Sequence, residues 1–264
     1  MILTSLQPTE AGIGPSTGGR RDDDPGRWHT RRNDRVATSA DVLAAVKAGN
    51  AGRLEALLVQ DRSLASSRDE AGVSAILHAR YRSRMDMIEL LLACHPHLDI
   101  FEAAALGRTQ VVDARLDEDP AAARAFSSDG FTALHLAAFF AQPEVVAVLL
   151  QRGADPGAVA KNVTAVTPLH SAAAGHNLEV SRLLLMQGAD ANARQQGGWT
   201  ALHEAALHGD IAMARLLLAR GASPQAASDD GTTPLQLAAD KGRTAIVELL
   251  RAGSRPQIQE PESL

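Results

Sequence analysis

Aromatic side chains are scarce in this chain, at 3% of 264 residues, and there is a single cysteine, Cys94. A lone thiol cannot form an internal disulfide, which excludes a stapled secreted scaffold and fits a reducing compartment, while an intermolecular bridge stays open. Basic charge is short as well: 26 Lys and Arg stand against 31 Asp and Glu, for a net charge of -5. Phosphate backbones need a clustered cationic surface, so no nucleic-acid partner is expected. Met1 to Gly14 has neither a basic opening nor a continuous apolar stretch, so no secretory leader is read there. The long apolar run from Phe131 to Leu150 is interrupted by Pro143 and Glu144, which mark a turn between two helices. No membrane partner is expected, and the expected location is cytoplasmic.

Signatures of catalysis are missing too. There is no nucleophile elbow, phosphate-cradling glycine loop or HExxH helix, so no catalytic residue is assigned and the chain is not expected to be an enzyme. Of nine histidines, His135, His170 and His203 lie a fixed step apart, which offers one ligand per layer where zinc needs four converging donors. Cys94-His95-Pro96-His97 places three donors together with no second pair at a useful spacing. No metal and no cofactor are expected.

What is present is a tetrapeptide that returns: Thr132-Ala133-Leu134-His135, Thr167-Pro168-Leu169-His170, Thr200-Ala201-Leu202-His203 and Thr233-Pro234-Leu235-Gln236. The steps are 35, 33 and 33 residues. Fixed-period self-similarity of this length marks a solenoid, in which each unit buries its apolar face only against its neighbours. Thr suits a helix N-cap and Pro the first helical position, where a missing N–H costs nothing. An alanine pair follows in each unit (Ala137-Ala138, Ala172-Ala173, Ala205-Ala206, Ala238-Ala239) and keeps that helix thin. A second apolar block then arrives, Val148-Leu149-Leu150, Leu183-Leu184-Leu185 and Leu216-Leu217-Leu218, closed three residues later by Gly153, Gly188 and Gly221. The unit therefore reads helix, turn, helix, left-handed glycine stop and polar stretch.

With Gly153-Ala154-Asp155 and Gly188-Ala189-Asp190 after the tetrapeptides, these units resemble ankyrin repeats over roughly residues 129–252. The resemblance implies an all-α ankyrin-repeat solenoid of stacked helix-turn-helix units, with β-hairpin fingers between units and a concave groove lined by fingers and first helices. It further implies that the tetrapeptide histidine ties its own turn to the next finger.

Upstream the pattern weakens. Ile76 takes the tetrapeptide leucine position and Leu90-Leu91-Leu92 the second block; Glu102-Ala103-Ala104 with Val111, Val112 and Leu116 form a shorter unit; Val42 to Val46 and Leu54 to Leu58 outline an earlier one. Six to seven repeats are expected over 36–255, the first three degenerate, between a disordered arm (1–35, where Arg and Asp alternate) and a C-terminal tail (256–264). Only about eight residues separate Leu92 from Phe101, so that finger should be lost or replaced by a turn at Pro96. Two extra residues near Lys161, Asn162 and Val163 predict a longer finger there. Arg251 replaces the leucine of the second block in the last unit, as an end cap requires.

The family's contact positions fall at finger tips and just after the alanine pair. Carried over, they give the partner-binding candidates Tyr81, Arg82, Phe131, Phe139, Phe140, Val166, Trp199, Leu207 and His208, with Val73, Asp240 and Lys241 at equivalent places. Five of the eight aromatics lie in this set, and aromatic and Arg side chains dominate interface energies. The expected function is a non-catalytic, monomeric module that holds, inhibits or recruits another protein in its groove. Regulation of a neighbouring enzyme, an unrecognised activity and a secreted effector are the alternatives the residues leave open.

Overall fold

The computed structural model describes residues 36–253. The expected arm at 1–35 and the tail at 256–264 lie outside the described residues. Fourteen α-helices follow one another in seven pairs: α1 (Ser39–Ala48) with α2 (Ala51–Gln60), α3 (Ala75–Tyr81) with α4 (Met85–Leu92), α5 (Ile100–Ala105) with α6 (Thr109–Glu118), α7 (Ala133–Phe139) with α8 (Pro143–Gln151), α9 (Pro168–Ala174) with α10 (Leu178–Met186), α11 (Ala201–His208) with α12 (Ile211–Ala219), and α13 (Pro234–Asp240) with α14 (Thr244–Gly253). Odd-numbered helices pack on one another in one layer and even-numbered helices in a second. This is an all-α repeat solenoid.

Every odd helix except α3, where the Ser74 hydroxyl accepts from Leu77 N–H, starts on a capping box, and the partner three residues on changes chemistry without changing the job. Thr132 N–H donates to His135 Nδ1 at 3.2 Å, Thr233 N–H to Gln236 Oε1 at 2.8 Å, Thr38 N–H to Asp41 Oδ2 at 3.0 Å and Asp99 N–H to Glu102 Oε2 at 2.9 Å. The alanine pairs are fully or almost fully buried where present among α7, α9 and α11, which lets neighbouring odd helices approach closely. At the other end, Gly153 and Gly188 take φ of 86° and 88°, and Ala154 N–H reaches back to Leu149 O, closing α8 as the sequence requires. Arg251 is exposed at the end of the stack.

The fingers are less regular than expected. No extended strand pair forms among the described residues; only isolated antiparallel bridges join Arg68 to Ser74 and Phe126 to Thr132. Each finger is instead a tight turn, as where Ser127 N–H donates to Phe131 O and Gly130 N–H to Ser127 O. Backbone bonds stitch fingers together: Lys161 N–H to Gly130 O, Gln196 N–H to Thr164 O and Asp229 N–H to Gly197 O. The long finger folds around Asn162, whose side chain accepts from Thr164 N–H and donates to Asp129 O. Short 3-10 segments, Arg62–Ser66 and Pro120–Arg124, precede two of the fingers; nothing in the repeat pattern announced them.

Between α4 and α5 the finger is absent. The turn falls at Ala93 and Cys94 and closes on His95, at φ 54°, one residue ahead of the expected Pro96. Across this gap α4 and α6 hardly touch, although α2 packs on α4, α6 on α8 and so on along the even layer. The core divides there into one cluster from Val42 to Leu91 and another from Ile100 to Leu250. A third, smaller cluster bridges them, formed by Val73, Leu77, Ala105 and Leu136 with Tyr81, Phe101, Phe131 and Phe140 around it.

Candidate functional site

The candidate contact residues divide into three groups by what they touch. The first is a clasp over the missing finger. Tyr81, half-buried at the end of α3, donates its hydroxyl to Asp129 Oδ2 at 2.6 Å in the finger two units on. Burial, reinforced by that carboxylate, pushes the phenol well above its usual range, so it remains a donor at any physiological pH. Its ring lies 5.9 Å from Phe140, and Phe140 meets Phe139 edge-on at 5.0 Å. Arg80 completes the set: its guanidinium sits 4.4 Å from the centre of the Phe140 ring and its Nε donates to Ala105 O at 3.0 Å. Arg68, bridging to Asp99 and Glu102 at 2.9 and 3.2 Å, ties the same seam from the finger side. Phe140 and the Tyr81 hydroxyl are therefore engaged inside the protein.

Arg80 is not among the family's contact positions, yet the sequence marks it. It stands where every strong repeat has the second alanine of the pair, and an arginine at a close-packing position implies a gap to fill. Asp129 and the buried Glu102, at 2% exposure, belong to the same seam.

The second group corrects the carry-over of family positions. Val166 is fully buried, and its carbonyl accepts from His135 Nε2 at 3.0 Å. Its backbone is held as that of Trp199 is, but the shorter valine side chain lies wholly within the core. Val73 is buried as well. Arg82 is exposed but folds back along α3, its Nη1 3.4 Å from His78 O.

The third group keeps partial exposure, although Phe131 also packs on the small bridging cluster. Trp199 is half-buried on its finger, its ring 5.6 Å from the His203 imidazole at a tilt of 31°. Phe131 sits in the same relation to His135, at 5.9 Å. Leu207 is half-buried and His208 exposed at the end of α11, where the His208 ring stands edge-on to His176 at 4.7 Å.

Beneath these residues the tetrapeptide histidines hold the fingers. Nδ1 of His135, His170 and His203 accepts from its own Thr N–H at 3.1–3.2 Å, so the remaining proton is on Nε2. Nε2 donates to Val166 O, Trp199 O and Thr232 O at 3.0, 3.2 and 3.1 Å. Burial lowers all three pKa values, to about 4 for His135 and His170. Trp199 is thus presented by a backbone carbonyl fixed to the preceding repeat. Among the described residues no group of three His, Cys, Asp or Glu is arranged to hold a metal ion, and no helix is long and apolar enough to cross a membrane.

The family profile described as ankyrin repeats (3 copies) matches residues 42–160, 100–195 and 169–260. The matches together span well over half of the chain, beginning inside α1, so the weak early units fall within them. The chain belongs to the ankyrin-repeat family. No curated protein matches it. Ankyrin-repeat domains are in general protein-interaction modules and typically non-catalytic.

Proposed function

We propose that this chain is a non-catalytic protein-binding module that holds, inhibits or recruits its partner in the groove formed by the finger tips and the ends of the odd helices, acting as a cytoplasmic monomer. The observation that carries the reading is the placement of Trp199, Leu207 and His208. They remain partly or fully exposed on consecutive segments held by the His170 and His203 bonds, while the large aliphatic side chains beneath them are buried. Rigid, half-exposed aromatics on an immobilised backbone are what interface hot spots require, because little conformational freedom is lost on contact.

The contact surface is centred on the last three units rather than on the aromatic clasp, whose members are occupied by one another. The test is quantitative binding of a partner captured from native lysate by the full chain. Trp199→Ala with Leu207→Ala should weaken binding by about 2 kcal/mol or more, some thirtyfold, at nearly unchanged melting temperature. Unchanged affinity in that double variant would refute the assignment of this surface.

A further inference from the structure

Glu204 is the fourth residue after the N-cap Thr200, on α11, and its side chain is 2% exposed. The residues at the same step of neighbouring strong units are Leu136, Ser171 and Leu237, so the stack itself is satisfied by an apolar or small side chain here. Glu204 Oε2 is buried and has no hydrogen-bond partner. Its nearest cationic candidate is His208 Nε2, one helical turn on, at 3.6 Å, beyond hydrogen-bond distance. Burial and the neighbouring His176 lower the His208 pKa, which keeps that imidazole neutral near pH 7.

Two other charged groups lie nearby. Asp210 caps α12 through Met213 N–H at 2.9 Å and faces His176 Nδ1 at 3.5 Å. Arg243 spends its Nε on Leu207 O at 3.3 Å. A carboxylate taken out of water without a partner costs stability, and a position that tolerates leucine gives no structural reason to retain one.

The geometry points to a binding site for a basic side chain: we infer that Glu204, with the exposed His208 ring beside it, receives a Lys or Arg side chain of the protein partner in the groove. Leu207 and the Trp199 ring offer apolar surface for the aliphatic stem, whose charged end then replaces the imidazole as the neighbour of Oε2. This rests on the groove reading above and adds to it the chemistry of the partner: a basic residue entering at the sixth helix pair.

Binding of acetyl-Gly-Arg-Gly-amide, acetyl-Gly-Lys-Gly-amide and acetyl-Gly-Gln-Gly-amide to the full chain, followed through the His208 and His176 ring resonances, tests it. The Arg and Lys peptides should give saturable shifts with affinity about tenfold above the Gln peptide, and Glu204→Gln should abolish that difference. Equal binding of Arg and Gln peptides, or undiminished preference in Glu204→Gln, overturns the inference. A protein partner lost by Trp199→Ala yet bound equally by Glu204→Gln would leave the groove reading standing and this one refuted; basic peptides held at Glu204 with a partner indifferent to Trp199 would give the reverse.

Discussion

Acid should loosen the stack before it titrates the carboxylates. His135 and His170 are 1% exposed, and their pKa falls from 6.5 in an unfolded chain to about 4 in the fold. The folded value is the lower one, so below pH 6.5 the unfolded state binds more protons and stability declines with falling pH. The loss runs from about pH 6.5 to pH 4 and then levels off. At pH 5 each residue forfeits about 2 kcal/mol, and below pH 4 about 3 kcal/mol, at roughly 1.4 kcal/mol per pKa unit. Together they remove on the order of 4 kcal/mol between pH 7 and pH 5, a large share of the 5–15 kcal/mol typical of a folded domain. The stereochemical reason is that Nδ1 faces the Thr132 and Thr167 N–H groups, so a proton there sets donor against donor. Urea unfolding at pH 7 and pH 5 reads this directly: with a slope near ~3 kcal/mol per M the midpoint should fall by about 1 M. The doubly substituted His135→Gln, His170→Gln chain offers the amide oxygen that Gln236 already uses against Thr233, and should lose the pH dependence in this window. A wild-type midpoint that does not move between pH 7 and pH 5, or a double variant that moves as much, would refute the reasoning.

Three further outcomes follow from the packing. Tyr81→Phe deletes a hydrogen bond to a charged group and leaves Asp129 Oδ2 without that donor, which should cost about 2 kcal/mol and let the first two helix pairs unfold ahead of the rest in hydrogen exchange; a single unshifted transition counts against the clasp. Gly175→Ala would drive a methyl group into the Phe139 carbonyl oxygen, where Asn177 also donates, and should lower stability by about 1–3 kcal/mol in thermal melts despite the better helix propensity of alanine. Leu184→Asp puts an unpaired carboxylate at a fully buried position of α10, and a broken interface in a linear array uncouples its neighbours. Circular dichroism should show partial loss of helix and a split melt; one full-height transition would contradict the layer assignment.

The periodic parts of this protein are legible because their causes are local. A capping Thr, a Pro at the first helical position, an alanine pair and a glycine at φ near 85° fix each helix pair whatever lies beyond it. The carry-over of contact positions fared unevenly for the same reason. Trp199 stays half-buried on its finger, whereas Val166 at the equivalent place is fully buried, a difference of side-chain size and packing that the repeat pattern does not record. Glu204 stands out by comparison with Leu136, Ser171 and Leu237, but its lack of a hydrogen-bond partner depends on where His208 and Arg243 end up.

The sequence by itself therefore determined the repeat, its helices, its two layers and the loss of one finger between Leu92 and Phe101. Only the tertiary structure decided what that loss does. Tyr81 and Arg80 join the second helix pair to Phe140 and Asp129 of the fourth, units that are not adjacent in the chain, and Arg80 also reaches Ala105 O of the third. A hydrogen bond between residues 48 apart and a cation over a ring two units away are long-range pairings, set by how the pairs stack, and short-range pattern carries no record of them.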